Sequence, residues 1–222
     1  MPMWRYGLTL AAFLVLVSTA LSGEPVDPEV LNSLNRHYAA VTGFSANYQQ
    51  ETVTQTMGGP QPISMKEHAK GKIYFKRPNL FVVDQKEPRP ELVIANQEHT
   101  WWVIPDENKA YQYPPQSRTG VIKALDGLLA GKEKLEEFFQ ISRLEASDVS
   151  VTLQMVPRQP NDDFERLEVQ VAKRDSKLIS MKVYYPLGQE VLFKFESVQE
   201  NVTLPKDFFE FTPPPGVQVI TH

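Results

Sequence analysis

The 222-residue chain has no cysteine. That excludes a disulfide framework and the usual zinc frameworks, and it leaves no thiol to carry a lipid anchor. Basic runs are missing too. The 23 lysines and arginines are interspersed among 27 acidic residues, for a formal net charge of −4, so there is no electrostatic footprint for nucleic acid or for an anionic membrane surface. No apolar run approaches the roughly 20 residues that a membrane-spanning helix needs. The longest, Leu8 to Val17, follows Arg5 and precedes the small residues Ser18 to Gly23. It reads as a secretory signal peptide over residues 1–23, with the mature chain beginning near Leu21 to Glu24 and expected to be soluble.

The constellations that enzymes need are equally scarce. His37, His68, His99 and His222 lie singly, without the spacing of a metal-binding pair. Gly43-Phe44-Ser45 begins like a nucleophile elbow, but Asn47 stands where its second glycine belongs. The neighbouring carboxylates Asp162 and Asp163, and Glu136 and Glu137, diverge on any regular element and read as solvated faces. No catalytic residue, metal or cofactor is therefore expected.

What is present is a pattern of strands. The 18 prolines fall between runs rich in Val, Ile, Phe and Tyr, where they serve as turns. Residues 24–222 suit a single domain of mainly β structure with helices. Asp27 and Pro28 can start a helix whose stripe is Val30, Leu31, Leu34, Tyr38 and Val41, with Gly43 placed to end it. Strands are expected at 44–57, 63–76, 80–84, 92–95, 100–104 and 110–113, with a turn at Gly58 to Pro60. A helical insertion from Thr119 to Phe139 carries Val121, Ile122, Leu125, Leu128 and Leu129 at helical spacing, then a short second helix from Lys132 to Phe139. Strands resume at 141–144, 149–156, 164–173, 178–185 and 190–198, about eleven in all. Leu80 to Val83 and Trp101 to Ile104 are apolar at both parities, so those strands must be covered on both faces. A curved sheet wrapped round the amphipathic helices, with one apolar surface inside and short edges protected, is expected to satisfy that requirement.

Gly71-Lys72-Ile73-Tyr74-Phe75-Lys76-Arg77-Pro78-Asn79-Leu80-Phe81 resembles a segment of the outer-membrane lipoprotein carrier family, LolA. The resemblance extends to Val41 through Gln50, to Trp101-Trp102, and to Phe209-Glu210-Phe211-Thr212-Pro213-Pro214-Pro215-Gly216-Val217 near the end. It implies an open, curved antiparallel half-barrel closed by a helical lid over an apolar cavity. It also implies a periplasmic carrier, acting as a monomer, that shields the acyl chains of lipoproteins. These would be received from an inner-membrane lipoprotein-releasing ABC transporter and passed to an outer-membrane lipoprotein receptor.

In that family the arginine of the Lys-Arg-Pro segment reaches the lid carbonyls, which makes Arg77 the candidate latch. Leu31, Leu34, Tyr48, Phe81, Trp101, Trp102, Ile122, Leu125, Leu128 and Leu129 are candidates for the acyl-chain cavity. Only one of the two tryptophans can face inward, and register decides which. Each would otherwise be read as ordinary core. Glu87, Glu91 and Glu98 could meet a basic partner or simply confer solubility. Two other readings use the same kind of half-barrel. One is a free-lipid carrier; the other is a periplasmic sensor, which would bring a further domain or membrane segment not expected beyond His222. An enzyme on lipids or glycans would need a polar constellation inside the cavity.

Overall fold

A computed structural model describes residues 23–57, 62–118, 121–129, 134–159 and 162–222. Nearly all of the expected signal peptide, the Gly58 to Pro60 turn and the start of the second short helix lie outside these residues.

Helix α1 (Pro28–Ala40) starts as the sequence indicates. The Asp27 carboxylate accepts a hydrogen bond from the Glu29 amide at 2.8 Å, and Pro28 occupies the first turn, where its missing amide costs nothing. Replacing Asp27 with alanine is expected to cost about 1 kcal/mol. A chemical-denaturation midpoint unchanged by that substitution would show that the cap contributes nothing. The helix ends at Ala40, with Val41 already extended, and not at Gly43. The reason lies in the sheet. The Thr42 carbonyl accepts from the Arg77 amide at 2.9 Å, and the Thr42 amide donates to Asn201 Oδ1 at 2.8 Å, so the chain is committed to strand pairing before Gly43 is reached.

There follow β1 (Gly43–Met57), β2 (Pro62–Lys76), β3 (Leu80–Glu87), β4 (Glu91–Ala95), β5 (Thr100–Ile104) and β6 (Lys109–Tyr113). Then come α2 (Val121–Leu129), α3 (Leu135–Phe138), β7 (Phe139–Ala146), β8 (Ser150–Pro157), β9 (Arg166–Ala172), β10 (Leu178–Tyr184), β11 (Glu190–Glu200) and β12 (Gln218–Thr221). They form one 12-stranded sheet in the order β12-β6-β5-β4-β3-β2-β1-β11-β10-β9-β8-β7. The sheet is open and curved, and every pairing is antiparallel except that of β12 with β6. The count of about eleven omitted β12, because four residues beyond a Pro-Pro-Pro-Gly stretch carry too little periodicity to announce a strand. α3 is shorter than its expected span of Lys132 to Phe139, since Phe139 already pairs with Pro157 across β7 and β8.

The two faces of the sheet bury different sequences. On the concave face Phe44, Ala46, Tyr48, Ile73, Phe75, Phe81, Leu153, Met181 and Phe193 pack with α1 and α2 in one apolar cluster. On the convex face Val82, Ile94, Trp101, Val103 and Ala110 pack with Phe209, Phe211 and Val217. The doubly apolar strands are thus covered twice: by the helices inside, and by the segment from Leu204 to Val217 outside. That strap is fastened by strand β12 and by Asn108, whose side-chain amide donates to the Gly216 carbonyl at 2.7 Å. Among the described residues no helix is long and apolar enough to cross a membrane.

Candidate functional site

β2 delivers an arginine to the helices by simple alternation. Ile73 and Phe75 point to the concave face, so the side chain two residues further on emerges on the same side. That residue is Arg77, and it clasps both lid helices. Its Nη1 donates to the Ala39 carbonyl at 3.0 Å, and its Nη2 donates to the Leu129 carbonyl at 2.9 Å and to the Tyr38 carbonyl. Nε donates to Leu129 at 3.2 Å. Tyr38 and Ala39 belong to the last turn of α1, and Leu129 ends α2. These are carbonyls without partners along their own helices, at the negative ends of two helix dipoles. A planar guanidinium with five donors answers both at once in a fixed fork, a geometry that the point charge of a lysine does not hold. Partial burial pulls its pKa below the ordinary arginine value, and the group remains charged at physiological pH.

Beneath the lid, α2 presents Ile122, Ala124, Leu125, Leu128 and Leu129 to the sheet, and α1 presents Leu34 and Tyr38. All are buried. Tyr48 stands on the concave face against Phe193, with ring centroids 5.9 Å apart. Burial, with smaller contributions from Asp84 and Glu91, pushes its phenol up to about 12, so it is a neutral wall. Where α2 meets β3 to β6 the packing stops short and leaves a cavity of about 610 Å³, within the roughly 300–1,000 Å³ range of small-molecule sites. Its lining is Val83, Val93, Thr100, Trp102, Tyr113, Ser117, Arg118 and Ile122.

The candidate residues separate cleanly against this geometry. Leu34, Tyr48, Phe81, Ile122, Leu125, Leu128 and Leu129 share the concave cluster, and Trp102 lines the cavity itself. Trp101 does not belong with them. Successive strand residues diverge, and Trp101 packs on the convex face against Phe211 at 5.3 Å. Leu31 is only half-buried and lies outside that cluster. Trp102 stacks on Tyr111, and its indole nitrogen donates to Glu91 at 2.8 Å. Glu91 also pairs with Arg89, and Glu87 with Lys70, so two of the acidic candidates for a partner surface already have partners within the fold. Val83, Val93, Thr100, Tyr113, Ser117 and Arg118 were missed as lining residues. Only the two valines carried a usable signal, through their parity with Phe81 and Trp102.

A sequence model of the family described as "Outer membrane lipoprotein carrier protein LolA" matches residues 39–212. An "Outer-membrane lipoprotein carrier protein" of Methylibium petroleiphilum is 28% identical over 220 residues, covering 98% of this chain and 100% of that one. The protein of the same name from Nitrosomonas europaea is 24% identical over 213 residues, covering 96% and 99%. Among solved structures, an uncharacterized conserved protein from Thermus thermophilus superposes with a TM-score of 0.53 at 12% identity. That match covers 87% of this chain and 98% of the other, a likeness of fold.

Proposed function

This chain belongs to the outer membrane lipoprotein carrier protein family, LolA, and from that membership we propose that it carries the acyl chains of lipoproteins through the periplasm in the cavity beneath its helices. The observation that carries this reading is the cavity itself: an apolar hollow of about 610 Å³, roofed by an amphipathic helix whose C-terminus is held by one arginine. Each methylene kept from water is worth about 0.8 kcal/mol, so a chain of about sixteen carbons carries on the order of 12 kcal/mol of aqueous exposure. Unaided diffusion between membranes is closed to such a molecule. A carrier must also release it, and a closed resting lid serves that end, because the work of opening is subtracted from the affinity. Arg77 is the latch in this reading. An ATP-driven transporter of the inner membrane supplies the loaded lipoprotein, and a receptor at the outer membrane accepts it. The role is one of transport without chemical change to the cargo.

The two tryptophans of β5 give a direct test, since the only other one, Trp4, lies in the expected signal peptide. Adding a triacylated lipopeptide to mature Trp101→Phe, which keeps Trp102, is expected to shift the emission to the blue. Trp102→Phe, which keeps the convex-face indole, is expected to respond little. The unacylated peptide should leave both unmoved. An equal response in the two variants, or none in either, would remove the cavity as the binding site.

A further inference from the structure

Among the described residues, two donors on residues of the cavity wall have no hydrogen-bond partner. Thr100 Oγ1 and Arg118 Nε are buried and make no hydrogen bond, and both residues line the cavity beside Val93, Trp102 and Ile122. Thr100 is 6% exposed. Arg118 is tethered, because its Nη2 donates to the Asn96 carbonyl at 2.6 Å. Asn96 is itself fixed: its side-chain amide donates to the Phe209 carbonyl at 3.1 Å, and its Oδ1 accepts from the backbone amides of Glu98 and His99. Protein interiors pair nearly all such groups, so two unpaired donors on residues that line one hollow mark the place of an acceptor that arrives with a ligand as the lid opens.

A hydrocarbon chain offers no acceptor, but the ester carbonyl that joins it to glycerol does. The charge balance favours a neutral acceptor over a carboxylate. Asp126 on α2, whose Oδ1 is likewise buried without a partner, interacts electrostatically with Arg118 and would repel a second anion. We propose that Thr100 and Arg118 form a polar subsite that takes an ester carbonyl of a diacylglyceryl group, with the acyl chain it carries in the apolar part of the same cavity. This rests on the acyl-carrier reading and adds a chemical selectivity to it. Esters of this kind occur both in lipoproteins and in membrane phospholipids; the lipoprotein is the expected source.

The test compares three probes on the mature protein: a triacylated lipopeptide with a diester glyceryl group, its dialkyl ether counterpart, and a diester phospholipid. The wild type is expected to bind the diester lipopeptide about tenfold more tightly than the ether, the value of one hydrogen bond to a charged group. In Thr100→Val and Arg118→Met that ratio should fall towards one. Thr100→Val should melt no lower than the wild type, since its hydroxyl has no partner to lose, and it keeps the test readable if Arg118→Met fails to fold. Equal binding of ester and ether by the wild type would overturn the subsite and leave the carrier standing. Binding of neither would overturn the carrier itself. A ratio unmoved in both variants would take the selectivity away from these two residues, and tight binding of the phospholipid alone would overturn the lipoprotein as its source.

Discussion

Arg77→Leu is expected to bind a triacylated lipopeptide at least tenfold more tightly than the wild type and to give it up correspondingly slowly. The substitution removes four hydrogen bonds that tie the ends of α1 and α2 to β2. Hydrogen bonds to a charged group contribute about 1.5–3 kcal/mol each, but these four share one half-exposed guanidinium, and the freed carbonyls regain water when the lid opens. A net loss of about 2–3 kcal/mol is reasonable, which multiplies the open population by roughly 30–150. Apparent affinity scales with the fraction of protein competent to bind. The tighter complex is therefore a consequence of a weaker empty state, and the two changes must appear together. The ligand-free variant should melt about 5–10 °C lower, given about 2–4 °C per kcal/mol for a domain of this size. Arg77→Lys should fall between, since it keeps the charge and loses the fork. Displacement of an apolar dye, followed with time and paired with thermal melts, reads both quantities. A lower melting temperature with unchanged affinity would make Arg77 a structural clasp and not a latch, and no change in either would end the proposal.

How far this site was legible from sequence depends on the range over which each signal acts. The stripe of Leu34, Tyr38, Ile122, Leu125, Leu128 and Leu129 is local, and helical spacing finds it without knowing the fold. Arg77 is different. By composition it is a surface arginine before a proline, and its role emerges only when the parity of β2 is joined to the positions of two helix ends that lie 38 and 52 residues away. The resemblance supplied that connection. Trp101 and Trp102 show where local pattern stops, because each parity of β5 is apolar and the convex cover comes from Phe209 and Phe211, a hundred residues further along. No period within β5 reveals that a Pro-rich strap will lie on its back. Thr100 and Arg118 were invisible for a related reason: an unpaired hydroxyl or guanidinium nitrogen is defined by what fails to meet it, and that is a property of packing alone.

Gly71→Ala is expected to unfold more readily than any single cavity substitution, although glycine brings no side chain to the middle of a strand. β2 and β3 slip register between Lys70 and Gly71, the mark of a bulge. There the two backbones approach so closely that a Cβ on residue 71 would lie 2.2 Å from the Asp84 carbonyl oxygen and 2.8 Å from the Gln85 Cα. Neither atom is the end of a flexible side chain. The strands themselves would have to part, at a cost of about 2–4 kcal/mol or more, or roughly 5–15 °C in melting temperature. The consequence reaches the latch, because six residues further along β2's path the same register aims Arg77 at the helices. Gly71→Ala should therefore combine a global loss of stability with a loosened lid, whereas Arg77→Leu loosens the lid chiefly. Hydrogen exchange separates the two: in Gly71→Ala the amides of β2 and β3 should lose the most protection, and in Arg77→Leu those of α1 and α2 should lose more than the strands do. Undiminished protection in β2 and β3, with an unchanged melt, would mean that the strands absorb the methyl group and that the bulge is not what fixes the register.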